Sequence, residues 1–288
     1  LNISSGSSAQ LDIALMGVNT LTQIAKAFLD QPELTQFHFQ RHFMFPFQQI
    51  FEKQTSYEVH DYVLENLLKI IESDSGDKLQ SGWSVIFDLL TIASVDRLLQ
   101  ERAFNLVSII VKKYLGIISS IDLISVLSNF FANAENVKLR EQAVLDLGEV
   151  AKILPIEEEN AWFSIFAALG YSGQNEIDSV RVQSHEVYLN ILKTINLPTN
   201  LLKSAIEEAL PQYFEATEFH PHDEQFFSSG IVFLKRVFDE VFDVDWDSKF
   251  KPDFQSSIFD CLKNCSLSIN KDLSKSALNL IEAKFKVV

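Results

Sequence analysis

This chain of 288 residues is poor in everything that breaks helices or cross-links small folds, with 9 Gly, 7 Pro and 2 Cys. So few glycines and prolines exclude collagen-like and low-complexity classes, which need one or both in abundance. Two cysteines cannot build a disulfide framework. Cys261 and Cys265 stand four apart in a helical pattern, with no matching His or Cys pair for zinc, and read as small buried hydrophobes. Basic runs are absent too: the formal charge is −15 and the pI near 4.8. Nucleic-acid binding requires clustered cations, so this balance argues against it, and an anionic bilayer would repel the chain, leaving membrane contact indirect. No apolar run approaches the ~18 residues of a membrane span. The start, Leu1-Asn2-Ile3-Ser4-Ser5-Gly6, has neither Met nor the pattern of a signal peptide. It reads as a cytosolic piece of something larger.

What is present is apolar and periodic: 47% of residues are hydrophobic and 24 are Phe. Ile13, Val59, Leu99, Leu139, Val180, Phe226 and Leu273 recur at spacings of 46, 40, 40, 41, 46 and 47 residues. Those are HEAT or armadillo periods. Four residues after each stand Gly17, Val63, Ala103, Ala143, Ser184, Gly230 and Ala277, small in all but one. Leu21, Leu67, Val107, Leu147, Tyr188, Leu234 and Ile281 follow four further on, then Ile24, Ile70, Ile110, Val150, Ile191 and Val237, with Lys284 breaking the last column. Spacings of 4, 4 and 3 put these positions on one helical stripe, and the small residue admits a neighbouring helix. Each is the first helix of a pair.

Second helices fall between, over 79–94, 120–134, 158–171, 199–216 and 252–266. Two of them share Trp-x-x-Ile-Phe, at Trp83–Phe87 and Trp162–Phe166, 79 residues apart, as equivalent positions two repeats apart would. Turns are expected at Gln31-Pro32, Ser73–Asp77, Pro155, Leu197–Asn200 and His220–Asp223. Glu157-Glu158-Glu159 fits the first turn of a helix, where acid complements the dipole. The expected fold is all-α, a solenoid of about seven helix pairs over residues 1–288.

Chemistry is hard to find. His220-x-His222 with Asp223 and Glu224 reads as a polar turn more readily than as a metal site. Asp243-x-Asp245-x-Asp247 opens like a calcium loop, but Ser248 replaces the turn glycine and Phe254 the bidentate glutamate. Phosphate-cradling glycine loops, a nucleophile elbow and a dinucleotide fingerprint are all missing. The expectation is no catalytic residue, no cofactor and no metal.

One stretch carries more than helical patterning: Phe37-His38-Phe39-Gln40-Arg41-His42-Phe43-Met44-Phe45-Pro46-Phe47, with Ser81-Gly82-Trp83 downstream. It resembles the first homology block after the catalytic domain of the large trans-Golgi Arf guanine-nucleotide exchange factors, the BIG family. Phe39, Gln40, Phe43, Pro46, Phe47, Ser81, Gly82 and Trp83 carry the resemblance, whether for packing or for partner binding. Phe45 and Gln80 stand where that family usually has Arg, which keeps the non-catalytic Mon-type Golgi scaffolds open as an alternative. The resemblance covers residues 11–155, then more weakly 156–216, where Trp162-Phe163 and Asp178-Ser179-Val180-Arg181 look like a second block; 217–288 are generic repeats. It implies a regulatory arm that engages small GTPases of the Arf, Arl or Rab type, or other domains of its parent chain, at Golgi membranes. The glutamate-bearing exchange loop has no counterpart here. A generic HEAT scaffold holding basic partners, as in transport receptors, coats or phosphatase scaffolds, is the alternative. Least well explained by repeat logic is Phe37–Phe47.

Overall fold

The computed structural model describes residues 3–29, 31, 33, 37–173, 175–205, 232–233, 235–237, 259–260, 262–263, 266–267 and 271–285. They form helices α1 (Ile3–Leu29), α2 (Phe39–Lys53), α3 (Tyr57–Glu72), α4 (Gly82–Ser94), α5 (Gln100–Tyr114), α6 (Ser120–Asn133), α7 (Val137–Ile153), α8 (Glu159–Ser172), α9 (Asp178–Thr194), α10 (Thr199–Ser204) and α11 (Lys271–Phe285). A 3-10 turn, Gly76–Lys78, precedes α4. Among the described residues there is no β-strand. The chain divides into two compact units, Leu1–Leu139 and Arg140–Val288.

In the first unit α1, α3 and α5 stack as one layer and α2, α4 and α6 as the other. This is the two-layer packing of an all-α solenoid. Val59, Val63, Leu67 and Ile70 of α3, and Leu99, Ala103, Val107 and Ile110 leading into and along α5, are all buried. The 4-4-3 stripe is therefore the packing stripe. Asp61 of α3 and Arg102 of α5 form an ion pair across the same layer.

The stripe expected on α1 is displaced by about one residue. Val18, Thr22, Ala25 and Leu29 are buried, whereas Ile13 is 71% and Ile24 41% exposed. Among the described residues of the first unit α1 packs mainly on α2 and α3, so its inner face is set by those two neighbours.

Phe37–Phe47 proves more regular than repeat logic suggested. Most of it is the first turns of α2, an ordinary second-layer helix burying Gln40, Met44, Phe47 and Phe51 at spacings that share one face. Pro46 lies inside it and cannot donate to the His42 carbonyl. His42 is exposed, so solvent can satisfy that carbonyl.

The second unit repeats the scheme. Ala143, Leu147 and Val150 of α7 and Val180, Ser184, Tyr188 and Ile191 of α9 are buried. Gly148 of α7 lies where a side chain would meet Val187 of α9, while α8 packs on α9 and α10. Asn200 of α10 donates to Glu159, in the first turn of α8, at 2.7 Å. On α11, at the expected seventh first helix, Ala277 and Ile281 are buried. Phe226, Gly230, the His220–Glu224 turn, the Asp243–Asp247 loop with Trp246, and Cys261 and Cys265 lie outside the described residues.

Candidate functional site

Four of the motif residues, Gln40, Ser81, Gly82 and Trp83, converge at one end of the first unit. Gln40 is fully buried in the first turn of α2, and its amide bridges the loop leading into α4: Nε2 donates to the Lys78 carbonyl at 2.9 Å, and Oε1 accepts from the Gln80 N–H at 2.6 Å. Burial without those partners would cost about 1–3 kcal/mol. A second clamp is built on Glu33. One of its oxygens accepts from the Gln40 N–H at 3.1 Å and the Ser81 hydroxyl at 2.6 Å, the other from the Ser81 N–H at 3.0 Å. The Ser81 hydroxyl in turn accepts from the Arg41 N–H at 3.1 Å. One carboxylate thus serves the starts of two helices, which satisfies orphan donors and complements both dipoles. Burial pushes the Glu33 carboxyl up, but the hydrogen bonds from Ser81 and Gln40, with His38 nearby, outweigh it and hold the group below its ordinary range.

Gly82 explains itself sterically. A side chain there would press on the end of Leu79, which would have to shift, and would meet Met44 at 3.4 Å and Gln40 at 3.6 Å in ordinary contact, so α4 approaches α2 closely at this point. Trp83 follows, only 5% exposed, with its ring 6.0 Å from Phe87 and 5.0 Å from Tyr114. The Tyr114 hydroxyl donates to the Ile71 carbonyl at 2.5 Å. Burial, then the Asp77 carboxylate, push its ionisation up to about 12. Among the described residues no acceptor stands within reach of the Trp83 indole N–H, although that atom is buried.

Above these residues lies a groove of about 580 Å³, lined at the start of α2 by His38, Arg41 and His42, at the start of α4 by Leu79–Ser81, Trp83 and Ser84, and at the start of α6 by Ile117–Ser119 and Asp122. Three consecutive N-termini of one layer therefore share it, each with its positive dipole end. Of the expected site residues, Gln40, Ser81, Gly82 and Trp83 are brought together here. Phe39 and Phe43 pack elsewhere: Phe43 stacks on Phe28 at 3.9 Å and meets the edge of Phe39 at 6.2 Å. Phe47 is core and Pro46 half-buried. Glu33 escaped sequence reasoning because it sits in an irregular connection. Ile117 and Asp122 escaped it because only packing brings α6 alongside. Among the described residues, no group of three or more His, Cys, Asp or Glu could hold a metal ion.

In the second unit the weaker block is a packing site. Arg181 is 1% exposed, donating to the Asn175 carbonyl at 2.8 Å and to Asp178 at 2.7 Å. Ser184 donates to the Leu169 carbonyl at 2.8 Å and accepts from Ser172 at 2.6 Å. His185 stacks on Phe233 at 4.3 Å, and burial, then Arg181 and Arg236, push its pKa down to about 3.

Residues 27–109 match the family model described as Mon2/Sec7/BIG1-like, HDS. The human brefeldin A-inhibited guanine nucleotide-exchange protein 1 is 30% identical over 137 residues, 45% of this chain and 7% of that protein. The ADP-ribosylation factor guanine nucleotide-exchange factor sec72 of Schizosaccharomyces pombe is 29% identical over 151 residues, 50% of this chain and 8% of its own length. Brefeldin A-inhibited guanine nucleotide-exchange protein 4 of Arabidopsis thaliana is 30% identical over 94 residues, 33% of this chain and 6% of the relative. The chain thus spans under a tenth of each of these curated relatives. The stretch that forms α2 to most of α5, with Gln40, Ser81, Gly82 and Trp83 inside it, is thus similar to the Mon2/Sec7/BIG1-like HDS model, and the relatives matched are guanine nucleotide-exchange proteins.

Proposed function

We propose that this chain is a non-catalytic, protein-binding regulatory module of a large Arf exchange-factor-type protein in Golgi vesicle traffic. It engages small GTPases of the Arf, Arl or Rab type, or neighbouring domains of its parent chain, and reaches the Golgi membrane through them. The observation that carries this reading is an overlap: the family match over 27–109 contains the Gln40 clamp, Gly82, Trp83 and two of the three groove walls. In this reading exchange chemistry belongs to another part of the parent, and this chain needs no cofactor.

The test is binding of the purified chain to a panel of GTP-loaded and GDP-loaded Arf, Arl and Rab proteins, paired with Golgi recruitment of the parent lacking this region. Binding selective for the GTP form, with recruitment lost on deletion, supports it. No binding and normal recruitment would remove it, and capture dominated by basic cargo would favour a generic scaffold.

A further inference from the structure

We propose that the groove across the N-terminal ends of α2, α4 and α6 binds a peptide segment of a protein partner, one that sets a carboxylate beside an apolar side chain. The proposal rests on the protein-binding reading above and gives it a surface and a ligand chemistry.

The first support is the Trp83 indole. A buried tryptophan N–H ordinarily finds an acceptor. Trp162, in the same motif, does so by donating to the Pro155 carbonyl at 3.0 Å. Trp83 lines the groove with its N–H buried and without an acceptor among the described residues. A backbone carbonyl or carboxylate oxygen of a bound peptide would remove that cost once the side chains that cover the N–H give way to it.

Charge gives the second support. In a chain with 39 acidic and 24 basic side chains, one wall of the groove consists of His38, Arg41 and His42, all exposed. The Arg41 guanidinium makes no ion pair among the described residues, though its charge is felt at Asp88. Three positive helix ends add to it. Three carboxylates oppose: Glu33 is committed to three hydrogen bonds, Asp122 stands on the α6 wall, and Asp88 of α4 is within the influence of both Arg41 and Asp122. The arrangement therefore suits one carboxylate near Arg41 and not a run of them. A guanidinium is the preferred partner for a carboxylate, gripping it through two parallel hydrogen bonds.

Third is the apolar lining. Leu79, the Trp83 ring, Ile117 and Ile118 line the groove, and Ile117 is 65% exposed. A large side chain next to the carboxylate would cover Ile117, and the volume is in the range of sites that hold small ligands.

The test uses the whole 288-residue chain. A random-peptide display library is selected against it, and enriched peptides are titrated into nitrogen-15-labelled protein. The expected result is enrichment of peptides pairing Asp or Glu with a large apolar residue. The Trp83 indole N–H resonance moves as they bind while that of Trp162 stays in place. Arg41→Glu lowers affinity about ten-fold, the scale of one lost charge-assisted hydrogen bond, with an unchanged melting temperature. Ile117→Asp, also at an exposed position, does the same and guards against a misfolded first variant. Enrichment of basic peptides, no enrichment, a Trp83 resonance that does not move, or binding only to phosphatidylserine vesicles would each overturn the proposal. GTPase binding that survives both variants, together with failed peptide selection, would remove the groove and leave the broader reading standing.

Discussion

Trp83 and Trp162 occupy the same place in the same motif, and their surroundings diverge at one atom. Each stacks on the Phe four residues on, at 6.0 Å and 28° for Trp83–Phe87 and 5.8 Å and 30° for Trp162–Phe166. Each follows a turn seven residues upstream. In the second unit that turn offers the Pro155 carbonyl to the indole. In the first the corresponding residue is Gly76, which lies instead against the Ile71 carbonyl and the Tyr114 hydroxyl, and the Trp83 N–H has no acceptor among the described residues. Equivalent packing with unequal polar satisfaction separates a helix that serves only the core from one that also faces a groove. The hydrophobic frame is repeated, and the difference lies in one hydrogen bond.

The strongest way to disturb this contrast is at Gly76. A methyl group there would run into the Ile71 carbonyl and the Tyr114 hydroxyl, so Gly76→Ala should cost about 3 kcal/mol of stability in urea unfolding. Next comes Gln40→Leu, which keeps volume and strands the Gln80 N–H and the Lys78 carbonyl. We expect a loss of about 2 kcal/mol and weakened hydrogen-exchange protection across 78–84.

Acid separates the two units. An unfolded His185 titrates near 6.5, and the folded one near 3 because of burial first, then Arg181 and Arg236. The unfolded chain therefore takes its proton first. The stabilisation is complete above pH 6.5 and is lost as pH falls toward 3, by up to about 1.4 kcal/mol per pH unit. Glu33, with its folded pKa held below 4.5, stabilises the first unit until pH drops under that value. Hydrogen exchange at pH 5 should thus show protection falling around α9 before it falls at the starts of α2 and α4. Smallest of all is Glu65→Gln. It removes an exposed pairing with Lys69 at 2.7 Å and should shift stability by about 0.3 kcal/mol, leaving both tryptophan environments alone.

Much of this architecture is legible in the sequence because packing is periodic. From α3 to α9 nearly every stripe residue is buried, since a helix packed into a layer turns one face inward. Ile13 and Ile24 fail because α1 has a different set of neighbours. The equivalence of Trp83 and Trp162 was readable from Trp-x-x-Ile-Phe alone; their different hydrogen bonding was not, because it depends on the path of a turn. Gln40, Ser81 and Gly82 could be named from the resemblance. Their shared partner Glu33 could not, because no periodicity ties an irregular connection to the helix starts it caps. The groove is less legible still, since it needs Ile117 and Asp122 to be brought beside Trp83 by stacking of α6 on α4.

The most direct test of the contrast is the pair Trp83→Phe and Trp162→Phe, each compared with the unaltered protein by urea unfolding followed by circular dichroism. Both remove a similar volume, but only the second removes a hydrogen bond, and the Pro155 carbonyl then keeps the Glu158 N–H alone. Trp162→Phe should therefore cost about 1 kcal/mol more than Trp83→Phe. Equal losses, or a larger loss at Trp83, would mean that the Trp83 N–H is satisfied within the protein and that the two helices do not differ as described.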